Sequence, residues 1–170
     1  MRYRMLLFTC LLCFSQLNAQ EQFSVPQLTS EQKAEVLYNH VIAYAVTGIS
    51  FAKTKGIAPE DYGKFIGNKF KVYWNIADGF PVLVNRVMYI LNGLHPANEM
   101  QIVTQDGNSI CFKMKNVDLV FKEGPMFDVS YKDFLDCSHG IISTIAEHMN
   151  SRFSHEATND GWYIVHLSKK

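Results

Sequence analysis

The sequence predicts an α+β fold: a layer of three N-terminal helices, an antiparallel sheet of about five strands, and one further long helix packed on that sheet. Three observations predict it. Apolar residues recur with helical spacing as far as Gly93, the period then changes to two, and helical spacing returns once before the C-terminal end. Because no linker rich in Pro, Gly or Ser divides the chain near His95, we expect a single domain.

Composition places the chain among globular proteins. Hydrophobic residues make up 48% of its 170 residues and aromatic residues 13%, which excludes collagen-like, low-complexity and wholly disordered classes. The chain contains 16 basic and 16 acidic side chains without a basic stripe, so no nucleic-acid partner is predicted.

Residues 1–19 are typical of a secretory signal peptide. Arg2 and Arg4 precede a ten-residue, largely apolar run, and Ala19 ends a cleavage site before Gln20. The run is too short for a membrane span, which takes about 20 residues. We therefore expect an exported protein, periplasmic or extracellular, whose mature chain has no integral membrane segment. A lipid anchor is the alternative, on one of two cysteines, Cys10 or Cys13.

Residues 20–28 have no periodicity and are expected to form a flexible arm, and residues 29–170 the folded domain. The first helix spans Ser30 to about Lys55, because Thr29 begins a capping box and Gly56 follows as a stop.

The middle of the first helix carries few polar side chains, so apolar surface faces almost every direction between residues 36 and 52. Such a helix is expected to be covered on all sides. Central burial, a homodimer interface and the wall of a ligand pocket are the alternatives.

A second helix is predicted from Pro59 to about Trp74, with Gly63 and Gly67 on one face where another helix can approach closely. Phe80 and Pro81 open the third helix, which ends at Gly93.

Strands follow the third helix. Residues 100–105 and 110–114 alternate around an Asp-Gly-Asn turn and predict a hairpin, and a third strand is expected at 117–121. Ser130 caps a long helix that ends near Asn150, and a second hairpin, turned at 159–161, closes the chain.

Two side chains are candidates for catalysis. Cys137 and His139 lie in the densest polar cluster, where a thiol and an imidazole could act as nucleophile and base. They are about 200° apart around a helix, so a base for Cys137 would come from elsewhere in the fold, and a buried structural cysteine is the alternative. Cys137 and Cys111 could also form a disulfide or remain separate thiols.

No metal site and no cofactor are predicted. His139 and His148 are nine residues apart on one helix, too far to share an ion, whereas His155 and His166 on neighbouring strands could approach each other without an obvious third ligand. Phosphate-binding glycine loops and a complete dinucleotide fingerprint are missing from the sequence.

Aromatic and methionine side chains are abundant in the helical half of the sequence. A helical layer over a sheet often leaves an apolar gap, which is the usual place for a hydrophobic ligand. We therefore predict a pocket between helices and sheet for a small apolar or aromatic molecule, with six candidate binding residues: Tyr44, Phe51, Phe70, Trp74, Met88 and Trp162.

The pattern of residues 80–170 resembles the 4-vinyl reductase-type small-molecule-binding domain and the related aminothiazoline carboxylate hydrolase-like family. In these families a helix with a cysteine and small residues is followed by a strand with an acid, a Gly-Asp-type turn and an aromatic strand. In this chain the helix residues are Cys137, Ser138 and Gly140, the acid is Glu156, the turn is 159–161 and the aromatic strand is 162–165. The cysteines that commonly flank that turn in these families are absent. The resemblance implies a dimer that binds a small, largely apolar or aromatic molecule, or a hydrolase that uses Cys137 with His139 or His155.

Overall fold

The computed structural model describes residues 26–94 and 97–170, which form four α-helices and a four-stranded antiparallel sheet. The predicted signal peptide and residues 20–25 of the predicted arm lie outside the described residues. The helices are α1 (Ser30–Thr54), α2 (Pro59–Phe70), α3 (Gly79–Asn92) and α4 (Tyr131–His148), and the strands are β1 (Glu99–Gln105), β2 (Ser109–Lys115), β3 (Ser151–Ala157) and β4 (Tyr163–Lys169). The strand order is β1-β2-β4-β3. The predicted α+β class is confirmed, with four strands in place of about five.

Capping boxes begin the first and last helices, as predicted. The Thr29 side chain accepts a hydrogen bond from the backbone of Gln32, whose side chain accepts one from the backbone of Thr29. Ser130 and Asp133 make the same reciprocal pair at α4. Each pair satisfies two backbone donors that a helix start otherwise leaves without partners.

The prediction of a third strand after the first hairpin, at 117–121, is wrong. Leu119–Phe121 form a 3-10 helix instead, and β4 occupies the edge of β2. Asn116 has a φ of 66°, a left-handed conformation that turns the chain away from the sheet and that Asn adopts more readily than most residues. Val117 and Phe121 are both buried, and their spacing of four fits a helical turn. The second helix also ends earlier than predicted, at Phe70, and a 3-10 turn follows it.

The main core lies between the inner face of the sheet and the helices α3 and α4. Side chains alternate along β2 and β4, so Phe112, Met114 and Val165 are fully buried beneath the helices. Cys111 lies on the opposite face of β2, whereas Cys137 is buried among the helices, and both are free thiols. The two therefore do not form the disulfide that spacing had left open.

Helices α2 and α4 pack closely through glycines, as Gly63 and Gly67 predict. A Cβ added to Gly63 would collide with the carbonyl oxygen of Cys137, and one added to Gly140 would collide with the carbonyl oxygen of Glu60. The atoms in the way belong to the facing backbone, so the two helices are in direct backbone contact.

Helix α1 packs against α2 and α4 along one side only. Ile42, Val46 and Ile49 are buried on that side, whereas Tyr44 and Phe51 are exposed on the other. Within residues 26–94 and 97–170, the expectation that this helix is covered all round is therefore wrong, because α1 lies at the outside of the helical layer. None of the helices in the described part of the chain has the length and hydropathy needed to cross a membrane.

Candidate apolar binding site

An apolar cavity of about 210 Å³ lies between the four helices. Its walls are formed mainly by aliphatic and aromatic side chains: Ala45 and Ile49 of α1, Tyr62 and Ile66 of α2, Ile90 and Leu91 of α3, and Phe134 and Ile141 of α4. The cavity is therefore surrounded by helices, and it is not the gap between helices and sheet that the sequence had predicted.

The arrangement of the helices explains the cavity. Glycines hold α2 against α4, and α3 packs on the sheet through Leu83, Val87 and Leu91. Helix α1 spans the remaining space and presents the small side chain of Ala45 beside Ile49. Ala45 and Ile90 are exposed, so the cavity opens to solvent between α1 and α3.

Three polar side chains interrupt the apolar wall: Tyr62, Cys137 and Ser138. Cys137 is 5% exposed, and burial raises the pKa of its thiol to about 11. A thiol with that pKa is neutral near pH 7, and a neutral thiol is a poor nucleophile. Cys137 therefore adds no charge to the cavity wall near pH 7.

The two predicted catalytic side chains point to different parts of the molecule. Cys137 faces the cavity, whereas the ring of His139 packs against Phe153 at a centroid distance of 5.6 Å and against His155 at 5.0 Å. The helical angle between positions 137 and 139 produces this separation. The structure therefore does not bring Cys137 together with either histidine.

A polar cluster lies where α4 crosses β3 and β4. His155 contacts His139 and, at 5.2 Å, the ring of Tyr163. The Nδ1 atoms of both histidines and the hydroxyl of Tyr163 are buried without a hydrogen-bond partner. Burial lowers the pKa of His155, and the neighbouring His139 lowers it further. Burial also raises the pKa of Tyr163.

Two aspartates of α4 that lie close to Cys137 and His139 in the sequence form ion pairs. Asp133 lies 2.9 Å from the ammonium group of Lys53 on α1 and also caps α4, and Asp136 lies 2.6 Å from Lys132 one turn earlier. Backbone and lysine hydrogen bonds lower the pKa of Asp133, although its partial burial opposes them.

The histidines of the second hairpin do not meet. His155 faces α4 on the inner side of the sheet, whereas His166 lies opposite Ser154 on the outer side, 4.0 Å from the Cys111 sulfur. The one-residue offset between them places their side chains on opposite faces. Across residues 26–94 and 97–170, no three His, Cys, Asp or Glu side chains are grouped closely enough to hold a metal ion.

The six predicted binding residues do not line the cavity. Tyr44 and Phe51 are exposed on α1, and Phe70 is exposed at the end of α2. Trp74 and Met88 belong to the sheet core. Trp162 is stacked beneath the ammonium groups of Lys113 and Lys115, at 4.1 and 4.6 Å from its ring.

The residues that do form the cavity include Ile49, Tyr62, Phe134 and Ile141, none of which was predicted to bind a ligand. A signal was present for part of this wall, since Gly63, Gly67 and Gly140, which bring α2 against α4, each neighbour a lining residue in the sequence: Tyr62, Ile66 and Ile141. The relative positions of α1 and α3 also determine the cavity, and no local pattern reports them.

No protein-family model matches the chain, and no curated protein does. Two solved structures are similar to it: the Fe(II) unliganded H-NOX protein from K. algicida and a point mutant of that protein. The mutant is 12% identical to this chain, and the match covers 99% of this chain and 89% of the mutant. The unmutated protein is 13% identical, and that match covers 87% of this chain and 77% of the other chain. Both matches have a TM-score of 0.36. Likeness at this level establishes neither a shared fold nor a shared function.

Proposed function

We propose that this chain is an exported protein that binds a small, uncharged apolar or aromatic molecule in the cavity between the four helices. The observation that carries the proposal is the cavity itself: about 210 Å³, apolar and open to solvent between α1 and α3. Apolar cavities with convergent polar groups are the usual form of small-molecule sites.

The volume sets the size of the ligand. A cavity of about 150 Å³ lined by Leu, Ile and Phe stays dry and binds benzene or xenon. The present cavity is somewhat larger and has walls of the same kind, so it suits one aromatic ring with substituents or two fused rings. Because the cavity opens to solvent, an apolar ligand that enters it displaces water from these walls, and the burial of apolar surface favours binding.

The wall chemistry sets the charge of the ligand. Among the residues that the structure describes, no lysine, arginine, aspartate or glutamate lines the cavity, and the Cys137 thiol is neutral at pH 7. Burying an unpaired charge in such a place costs several kcal/mol or more. The hydroxyl groups of Tyr62 and Ser138 allow at most one or two hydrogen bonds, so we expect a neutral ligand with few polar atoms.

Toluene and benzoate test this proposal because they have similar sizes and different charges. Calorimetric titration should give a Kd for toluene on the order of 0.1 mM, which corresponds to about −5.5 kcal/mol and lies below the ceiling for so small a ligand. Benzoate should bind at least about 100-fold more weakly. Binding of benzoate as tight as that of toluene would contradict the proposed chemistry.

A pair of substitutions on one helix locates the binding. Ser138→Leu places a larger apolar side chain in the cavity and should abolish toluene binding. Ser143 lies on the same helix, is also half-buried and does not line the cavity, so Ser143→Leu is the matched control and should bind toluene as the wild type does. Equal binding by both variants would refute this site.

Export is the second part of the proposal, and the basic start and apolar run of residues 1–19 support it. N-terminal sequencing of the protein from fractionated cells should find a chain that begins at Gln20 outside the cytoplasm. An intact chain that begins at Met1 in the cytoplasmic fraction would contradict this part and leave the binding site untouched.

A further inference from the structure

The exposed side of α1 carries a regular apolar stripe. Leu37, Val41, Tyr44 and Phe51 are between 62 and 78% exposed, and together with Gly48 they follow one another at alternating spacings of four and three residues. This is the heptad spacing at which one helix packs along another. The four side chains form the "α1 stripe", which extends over about 21 Å of helix.

The α1 stripe has features of a contact surface. Single exposed apolar residues are normal on a protein surface, whereas contiguous apolar patches mark interaction sites. No charged residue belongs to the stripe itself, and the ammonium group of Lys55 lies 5.5 Å from the centre of the Phe51 ring at its C-terminal end. The ring of Tyr62 lies over Gly48, so the one gap in the stripe is filled from α2.

Two members of the stripe are placed symmetrically about Tyr44. Leu37 lies seven residues before it and Phe51 seven residues after it. Two copies related by a two-fold axis through Tyr44, with the helices antiparallel, therefore place Leu37 of one copy against Phe51 of the other. A two-fold interface requires this kind of self-complementary surface.

The first turns of α1 favour the antiparallel arrangement. Residues 30–37 are all exposed, and the first buried residue of α1 is Ile42. The N-terminal half thus has little cover from the described residues of its own chain. In an antiparallel pair it lies along the C-terminal half of the partner helix, which α2 and α4 support from behind.

The exposed aromatic side chains of the stripe supply part of the area that a dimer buries. A fully buried aromatic side chain removes about 150–250 Å² from water, so Tyr44 and Phe51 at their present exposures offer about 200–350 Å² per copy. A standard interface takes about 800 Å² from each partner, and Leu37, Val41 and their neighbours supply part of the remainder. We propose that the α1 stripe binds the same stripe of a second copy of this chain, antiparallel about Tyr44.

Analytical ultracentrifugation of the full chain tests the interface. We expect a reversible dimer with a Kd in the micromolar range. Tyr44→Lys should raise that Kd at least about 100-fold, since the substitution acts twice at the centre of the interface. Tyr73, which is 74% exposed and lies outside the stripe, provides the control variant Tyr73→Lys, which should dimerise as the wild type does. A wild-type chain that stays monomeric at millimolar concentration, or a Tyr44→Lys variant that still dimerises, would overturn the proposal.

Disulfide cross-linking with peptide mapping tests the orientation, and it does not depend on the lysine variants. Tyr44→Cys should cross-link to itself under mild oxidation, because a disulfide needs Cβ atoms about 4 Å apart. Leu37→Cys alone should not cross-link, since an antiparallel pair separates these positions by about 21 Å. A mixture of Leu37→Cys and Phe51→Cys should give the mixed disulfide. Efficient cross-linking of Leu37→Cys to itself would overturn the antiparallel arrangement. None of these results depends on the ligand, so the interface and the proposed cavity site can fail separately.

Discussion

The backbone contact between α2 and α4 makes a specific prediction about Gly140. Substitution Gly140→Ala places a methyl group where the Glu60 carbonyl oxygen and, at 2.7 Å, the Lys64 backbone nitrogen already lie. These are backbone atoms within or beside a helix, so no side chain can rotate away. The methyl group is accommodated only if α2 and α4 move apart.

The magnitude follows from two opposing effects. Alanine improves on glycine within a helix by about 1 kcal/mol. Separation of the two helices by about 1 Å forfeits a quarter to a half of the dispersion energy of each affected contact, and forced overpacking of a core costs about 1–3 kcal/mol, occasionally more. Because backbone meets backbone here, we take the upper end of that range and expect a net loss of about 2 kcal/mol in the free energy of unfolding.

Gly48 provides the matched control. It is also a glycine inside a helix, but its added Cβ would meet the hydroxyl of Tyr62 at 2.6 Å, the far end of a flexible side chain. We expect the free energy of unfolding of Gly48→Ala to equal that of the wild type or to exceed it by up to about 1 kcal/mol. Urea denaturation measures both variants, and a loss of about 2 kcal/mol lowers the midpoint by about 1 M. A Gly140→Ala variant as stable as Gly48→Ala would refute the close approach of α2 and α4.

Further predictions concern the polar cluster and a helix cap. Burial lowers the folded-state pKa of His155, and His139 lowers it further; Lys132 adds to this effect and Asp136 opposes it. His155 therefore contributes most to the free energy of unfolding while its ring is neutral in both the folded and the unfolded chain, above the unfolded pKa of about 6.5. This contribution is lost as the pH falls below that value. His155→Gln should flatten the dependence of the unfolding free energy on pH between 7 and 5. An unchanged or steeper dependence in His155→Gln would contradict the assignment. Ser130→Ala removes the cap of α4 and should cost about 1 kcal/mol in urea denaturation; no loss would mean that Asp133 and Lys53 hold this helix end without it.

Local signals predicted most elements of the fold. The capping residues Thr29 and Ser130 act within a few residues of themselves, and the structure contains both boxes. The alternation of β2 is equally local. The strand expected at 117–121 failed because Asn116 redirects the chain and because β4, more than forty residues later, takes the edge of β2. Pairing between distant segments cannot be inferred from a local pattern.

The candidate site depends on such distant relations to a greater degree. Tyr44 and Phe51 are large and apolar, which made them natural candidates for a pocket, yet their helix turns them to the outside. Ile49 and Phe134 are ordinary apolar residues that nothing in the sequence sets apart. They line the cavity because α1 packs on α4. Residue type indicated an apolar site without indicating which apolar residues form it.

Protection of the Cys137 thiol tests the central claim most directly, because this side chain lies in the cavity wall. Alkylation by iodoacetamide is followed at each cysteine by peptide mapping, with and without toluene at about ten times its Kd. We expect toluene to slow alkylation of Cys137 about tenfold, as occupancy of the site requires. Cys111, on the outer face of the sheet, should react at an unchanged rate. Toluene that leaves the rate at Cys137 unchanged, or slows both cysteines alike, would contradict a ligand in this cavity.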